Sequence, residues 1–114
     1  MGFKARMYAD EGSGTVTITL AGELDSSSAP RLNELIVEAA TKPVERMVLL
    51  LERLSYLSSA GVRCVVVAHQ TFGPGVEIVL VGARPEVAET LQLTGLDRSV
   101  TMQDVADVRW TTIG

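Results

Sequence analysis

The spacing of apolar residues along the chain predicts a series of strands and helices. Thr15–Leu20 alternates and is rich in β-branched residues, which is typical of a strand. Phe3–Ala9 is predicted to pair with it as an antiparallel hairpin, joined through the turn residues Asp10–Gly14. We expect the chain to leave the sheet at Gly22–Leu24.

A helix is predicted next, over roughly Ala29–Ala40. The segment Asp25–Ser28 offers several helix N-caps, and Pro30 suits a first turn. The apolar stripe of this helix is formed by residues at helical spacing: Leu32, Leu35, Ile36 and Ala39.

The middle of the chain predicts a βαβ unit. Met47–Leu51 is a continuous apolar run, which is typical of a central strand buried on both faces or nearly so. Ser58–Phe72 is apolar almost all round, with Arg63 as its only charge, so we expect a largely buried crossover helix. Val76–Gly82 reads as the next strand. A strand, helix and strand of this length imply a parallel pair.

The last part of the chain is less regular. Arg84–Leu93 predicts a second amphipathic helix, with Thr94 and Gly95 as its stop. The tail, Ser99–Gly114, has room for a short strand and a short helix. With 114 residues, the whole chain, 1–114, is expected to form a single α/β domain.

Composition narrows the class of protein. Hydrophobic residues make up 46% of the chain, enough for a core. The net charge of −4 argues against nucleic-acid binding, because an acidic chain repels phosphate backbones. No apolar run approaches the ~20 residues of a membrane span, and no signal peptide is visible, so we expect no membrane insertion and a cytoplasmic location.

Residues suited to catalysis or metal binding are few. The single histidine, His69, lies inside a predicted helix with no acidic residue near it in sequence, so a packed or partly exposed helix residue is its simplest interpretation. One cysteine and one histidine cannot build a zinc site, and there is no phosphate loop. We therefore expect neither an enzyme nor a cofactor. Cys64 lies in the apolar run Val62–Ala68 and is predicted to be a reduced, buried, slowly reacting thiol.

Two strand-to-helix turns remain as candidate sites. One is Gly22–Asp25 (GELD), and the other is Leu57–Gly61 (LSSAG). In the predicted sheet both turns follow strands and lie at the same end, where ligand and partner surfaces of open α/β sheets gather. Ser58 or Ser59 would begin a helix, where free N–H groups and the helix dipole favour a phosphate on the hydroxyl. The alternative is that both serines are ordinary N-caps.

Taken together, the motifs resemble the anti-sigma factor antagonists, or STAS domains, over roughly Phe3 to Met102. They are, in order, Gly22–Asp25, Ala29-Pro30, Val48–Arg63 (VLLLERLSYLSSAGVR), Val79–Gly82 and Leu93–Asp97. The resemblance implies a four- or five-stranded mixed β-sheet with helices packed mainly on one face.

The resemblance also implies a function. Family members bind an anti-sigma factor that is a serine kinase and so free the sigma factor to regulate bacterial transcription. The kinase phosphorylates a serine at the start of the second helix, which breaks the complex, and a serine phosphatase restores it. An alternative within the same fold is an interaction subunit of another assembly, such as a lipid-transport or signalling complex.

The family motif also assigns residues. Its Asp-Ser-Ser/Thr-Gly turn matches Ser58–Gly61, which makes Ser59 the phosphoacceptor, with Ser58 as the alternative. Ser58 stands where the family has aspartate, and Ala60 follows the acceptor. The aspartate of the family's Gly-x-Leu-Asp motif matches Asp25. The expected partner-binding residues are Glu23, Asp25, Ser58, Ser59 and Gly61.

Overall fold

The strands form one mixed sheet whose spatial order follows the sequence. The computed structural model describes residues 2–105, which contain five strands in the order β1-β2-β3-β4-β5. The first two pair antiparallel, and every later pair is parallel. The strands are β1 (Lys4–Asp10), β2 (Thr15–Leu24), β3 (Arg46–Leu57), β4 (Glu77–Val81) and β5 (Thr101–Gln103).

The helices pack on one face of this sheet. Within residues 2–105 they are α1 (Ala29–Ala39), α2 (Ser59–Phe72) and α3 (Pro85–Leu93), followed by a 3₁₀ turn, Leu96–Arg98. A single core cluster joins their apolar sides to alternate strand residues. Ile18, Leu49 and Leu80 lie in register across β2, β3 and β4 and are at most 1% exposed. The predicted α/β fold is therefore confirmed.

Two strands are longer than predicted. The prediction that Gly22–Leu24 leaves the sheet is wrong, because β2 continues to Leu24, which pairs with Leu57. Likewise β3 continues past Leu51, where a turn was expected. Two register irregularities in the β2–β3 ladder, at Thr19/Ala21 and Gly22/Glu23, give β3 extra residues. Such bulges interrupt the alternation of side chains, which is why the pattern ended early.

The βαβ prediction is confirmed, with one correction. β3 is the middle strand, parallel to β4, and α2 connects the two. On β3, Met47, Leu49 and Leu51 are buried. However, α2 is buried along one side only, since Arg63 and Val67 are exposed. The outer face of α2 is partly apolar, because Val67 lies on it and no other described residue covers it.

The remaining elements differ from prediction by a residue or two. β1 is displaced by one residue, α1 ends one residue earlier, and Arg84 is the N-cap of α3 instead of its first residue. The tail contains the predicted short strand, β5. The tail from residue 106 onward lies outside the described residues, so the short helix stays a prediction. None of the helices in the described part of the chain has the length and apolar character needed to cross a bilayer.

Candidate functional site

The two strand-to-helix turns singled out by the sequence meet at one edge of the sheet. β2 and β3 run parallel and end side by side, at Leu24 and Leu57. The backbone N–H of Ser58 donates to the carbonyl of Leu24 over 2.9 Å. The hydroxyl of Ser55 donates to the carbonyl of Gly22 over 3.0 Å. These bonds hold the start of α2 against the segment that leads into α1.

Asp25 organises the β2–α1 turn. One carboxylate oxygen, Oδ1, accepts from the Ser27 hydroxyl at 2.7 Å and the Ser27 N–H at 2.9 Å. The same oxygen accepts from the Ser28 N–H at 3.2 Å, and the Ser28 hydroxyl oxygen lies 3.2 Å away. The Ser27 hydroxyl, followed by the Ser27 N–H, lowers the pKa of Asp25 below its ordinary value of 3.8. Among the described residues no donor reaches Oδ2, so that oxygen is left to meet solvent or a partner.

Ser28 joins the end of β2 to the start of α1, a role that the sequence analysis missed. It is only 8% exposed. Its hydroxyl donates to the carbonyl of Glu23 at 2.8 Å and accepts from the N–H of Asp25 at 2.9 Å. Ser28 occupies the N-cap position of α1 yet makes no side-chain cap bond, because its hydroxyl faces the strand. The signal available in sequence was a serine three residues after an aspartate, which is typical of local side-chain to backbone bonding.

The two candidate acceptor serines occupy different environments. Ser58 is the N-cap of α2 with extended backbone, and its hydroxyl oxygen accepts from the N–H of Gly61 at 3.4 Å. Ser59 is the first residue of α2, and its side chain is exposed. Within residues 2–105 the Ser59 hydroxyl has no hydrogen bond to protein. Ser58 is therefore engaged in the cap, whereas Ser59 presents a free hydroxyl at a helix N-terminus.

Gly61 lets α2 approach the sheet closely. A Cβ atom at this position would lie 2.5 Å from Cδ1 of Leu57 and 2.8 Å from Cγ of Leu24. Only glycine avoids both contacts, so the first turn of α2 sits directly on the ends of β2 and β3. Gly61 is buried, and its influence on a partner would act through the position of this turn.

An exposed aromatic residue adjoins the serines. Tyr56 is 52% exposed and pairs across the strands with Glu23, which is also exposed. Parallel partners in register point to the same face, so the tyrosine and the carboxylate lie together beside the serine turn. Sequence reasoning named Glu23 and missed Tyr56, since the predicted strand ended at Leu51 and left Tyr56 without an assigned face.

The remaining reactive side chains lie away from this surface. Cys64 is 1% exposed, as predicted, and its thiol donates to the carbonyl of Ala29 over 3.6 Å. Burial raises the pKa of this thiol. His69 is partly buried in the last turn of α2. Within residues 2–105 no three His, Cys, Asp or Glu side chains cluster as metal ligands would.

Comparison with known proteins decides the family. The STAS domain model matches residues 6–108. The chain belongs to the STAS domain family. BtrV of Bordetella bronchiseptica, named as a candidate anti-sigma factor antagonist, is 34% identical over 91 residues, which span 79% of this chain and 78% of BtrV.

Two solved structures of the anti-sigma factor antagonist SpoIIAA have the same fold. The unphosphorylated form is 28% identical, with a TM-score of 0.76 over 98% of this chain and 93% of SpoIIAA. The phosphorylated form, from Bacillus, is 26% identical, with a TM-score of 0.70 over 98% of this chain and 96% of that one. The STAS fold expected from the sequence motifs is thus confirmed.

Proposed function

We propose that this protein is an anti-sigma factor antagonist that binds an anti-sigma factor, frees the sigma factor and catalyses no reaction itself. The proposal is supported by membership of the STAS domain family and by the similarity to BtrV and SpoIIAA. A cytoplasmic location belongs to the proposal, because sigma factors act on RNA polymerase in that compartment.

The partner is proposed to bind where the β2–α1 and β3–α2 turns meet. Glu23, Asp25, Ser58 and Ser59 all lie at this edge of the sheet. Asp25 is held in place by its bonds to Ser27 and Ser28, so its free oxygen is presented in a fixed direction. A rigid surface of this kind loses little conformational entropy on binding.

Phosphorylation of Ser59 is proposed to switch this binding off. The observation that carries the proposal is the exposed, unbonded hydroxyl of Ser59 at the first residue of α2. Backbone N–H groups at a helix N-terminus and the helix dipole stabilise a phosphate there, so the domain need not unfold to accept it. SpoIIAA has been solved in both an unphosphorylated and a phosphorylated form, which supports the same kind of switch here.

The cost of the phosphate falls on the complex. A phosphate adds about −1.5 to −2 charges at neutral pH. A partner surface shaped around a neutral hydroxyl must then desolvate a dianion or oppose it with like charge, which costs several kcal/mol. Each ~1.4 kcal/mol is a tenfold loss of affinity, so binding falls to a negligible level.

The proposed partner is an anti-sigma factor of the serine-kinase type, and a serine phosphatase would reverse the reaction. Ser58 is the less suitable acceptor, because its hydroxyl oxygen already caps α2 through Gly61. Modifying it would replace a cap that holds the first turn of the helix.

Phosphopeptide mass spectrometry tests the acceptor directly. The protein is incubated with the kinase-type anti-sigma factor from its own host and ATP, beside Ser59→Ala and Ser58→Ala. We expect phosphate on Ser59 in wild type and in Ser58→Ala, and none in Ser59→Ala. Phosphate on Ser58 would move the acceptor by one residue, and absence of phosphate in all three would remove the proposed switch.

A pull-down from the native host tests the proposed partner. Recovery of a kinase-type anti-sigma factor is the expected result. Recovery of transporter subunits in its place would show that the chain serves another assembly with the same fold.

A further inference from the structure

We propose that Arg63 is the intramolecular counter-ion of Ser59 once Ser59 is phosphorylated. The proposal rests on the phosphorylation proposed above and adds a second residue to the switch. Its consequence is that phosphorylation adds an anion to the binding surface and, at the same time, takes an exposed cation away from the partner.

The spacing places the two side chains on the same side of α2. Ser59 and Arg63 are four residues apart within the unbroken helix Ser59–Phe72. Residues at this spacing have their Cβ atoms roughly 5–6 Å apart. Helical side chains lean toward the N-terminus, so the arginine side chain reaches back over the turn that carries Ser59.

Arg63 is available for this pairing. It is exposed, and in the described part of the chain its guanidinium has neither a hydrogen bond nor an ion pair. By contrast, Arg46 bonds Glu77 at 3.1 Å and Arg84 donates to the carbonyl of Glu52 at 3.0 Å. A guanidinium is planar, always charged and suited to paired bonds with phosphate oxygens.

The other charges around Ser59 leave Arg63 as the natural partner. Glu23 and Asp25 lie at the same edge and oppose a phosphate, so they cannot neutralise it. The α2 cap is Ser58, which carries no charge. The only other basic side chain on α2, His69, is in the last turn of the helix. A phosphate on Ser59 therefore has free N–H groups on one side and Arg63, the only basic side chain in the first two turns of α2, on the other.

The pairing changes the surface in two ways. Before phosphorylation, the partner meets a neutral hydroxyl with a free guanidinium one turn away. Afterwards, it meets a phosphate whose nearest cation is already bound within the same chain. A contact between Arg63 and an acidic group of the partner would then be lost together with the neutral hydroxyl.

A ³¹P NMR titration tests the proposal. Phosphoserine is incorporated at position 59 during translation by a reassigned stop codon, and the second pKa of the phosphate, ordinarily about 6, is measured in low salt. Arg63→Gln should raise this pKa by about 0.3, the shift that a typical i,i+4 ion pair implies. Arg63→Lys should restore part of the difference, and 0.5 M NaCl should shrink it by screening.

Arg46→Gln is the control, because Arg46 is exposed but lies at the opposite end of β3. It should leave the phosphate pKa unchanged. An unchanged pKa in Arg63→Gln, or an equal rise in Arg46→Gln, would overturn the proposal. The phosphate is installed without kinase or partner, so this test does not depend on the proposed switch. If Arg63 pairs with the phosphate but the phosphorylated protein still binds its partner normally, the switch is wrong and the counter-ion role of Arg63 remains.

Discussion

The two strand-to-helix turns at the site use the same residue types in opposite ways. In the β2–α1 turn, the Asp25 carboxylate accepts from Ser27 and from the N–H of Ser28, and the Ser28 hydroxyl bonds the local backbone. In the β3–α2 turn, Ser58 makes one long cap bond and the Ser59 hydroxyl makes none within the described residues. The first turn is a self-contained scaffold, and the second presents a free hydroxyl on top of it. This difference would let a small domain hold its shape under the proposed modification of Ser59.

Native labelling of Cys64 gives the largest expected contrast. Its thiol is buried between α2 and the start of α1, beneath both turns, with a raised pKa. A thiol reagent can reach Cys64 only after a local opening of the fold. If that opening costs about 3 kcal/mol, the labelling rate of the native protein is roughly a hundredfold lower than that of the protein unfolded in urea. Time courses with a thiol reagent measure this. Equal rates in both states would mean that α1 and α2 do not pack as described.

Gly61→Ala should cost the most stability of the single substitutions. The new Cβ would overlap Leu57 and Leu24, and overpacking of this kind costs about 1–3 kcal/mol. The matched control is Gly75→Ala, because a Cβ at Gly75 meets nothing within 4 Å. Urea unfolding of both variants measures the difference. A stability loss at Gly75 as large as that at Gly61 would contradict the close approach of α2 to the sheet.

A serine-to-alanine series measures how much the serine hydroxyls of each turn contribute to stability. Ser28→Ala leaves the partly buried carbonyl of Glu23 and N–H of Asp25 without their partner and should cost about 0.5–1.5 kcal/mol. Ser58→Ala removes a long cap bond and should cost about 0.5–1 kcal/mol. Ser59→Ala should change the free energy of unfolding little. A different order in urea unfolding would show that the hydroxyls are not used as the structure indicates.

Asp25 should account for part of the pH dependence of the free energy of unfolding. Its folded pKa lies below the ordinary value of 3.8, so the carboxylate stabilises the fold above that pH. The stability is lost as pH falls through the folded pKa. Thermal melts between pH 2 and 7 should therefore show Asp25→Asn less stable than wild type near neutrality and closer to it in acid. Ser27→Ala should weaken the effect, since Ser27 supplies the leading hydrogen bonds.

Regular patterns in the sequence predicted the fold well, and the irregular parts were missed for a physical reason. Alternation in Thr15–Leu20 and helical spacing from Leu32 to Ala39 report directly on which face is buried. The extensions of β2 and β3 were missed because the bulges interrupt that alternation. The bulges matter for the proposed site, since the extended strands bring Leu24 and Leu57 side by side and place the two turns next to each other.

The candidate site was predicted from motifs, but the different hydrogen bonding of its residues was not. The resemblance to a family pointed to Asp25 and to the serine turn. It did not show that one oxygen of the Asp25 carboxylate accepts from neighbouring donors while the other stays free, which depends on the fold of Ser27 and Ser28. Tyr56 and Arg63 were not singled out as site residues. Exposed aromatic and basic side chains are common, and only the folded structure shows that these two lie beside Ser59.

The most direct test of the proposed switch is a binding titration against the anti-sigma factor. Unmodified protein, Ser59→Ala, Ser59→Asp and protein carrying phosphoserine at 59 are compared by calorimetry, with circular dichroism to confirm that each is folded. We expect tight binding by the first two proteins and at least roughly a hundredfold weaker binding by the phosphorylated form, because of a few kcal/mol of charge repulsion. Ser59→Asp should also bind much more weakly. Equal affinity for all four folded proteins would show that a charge at position 59 does not control partner binding.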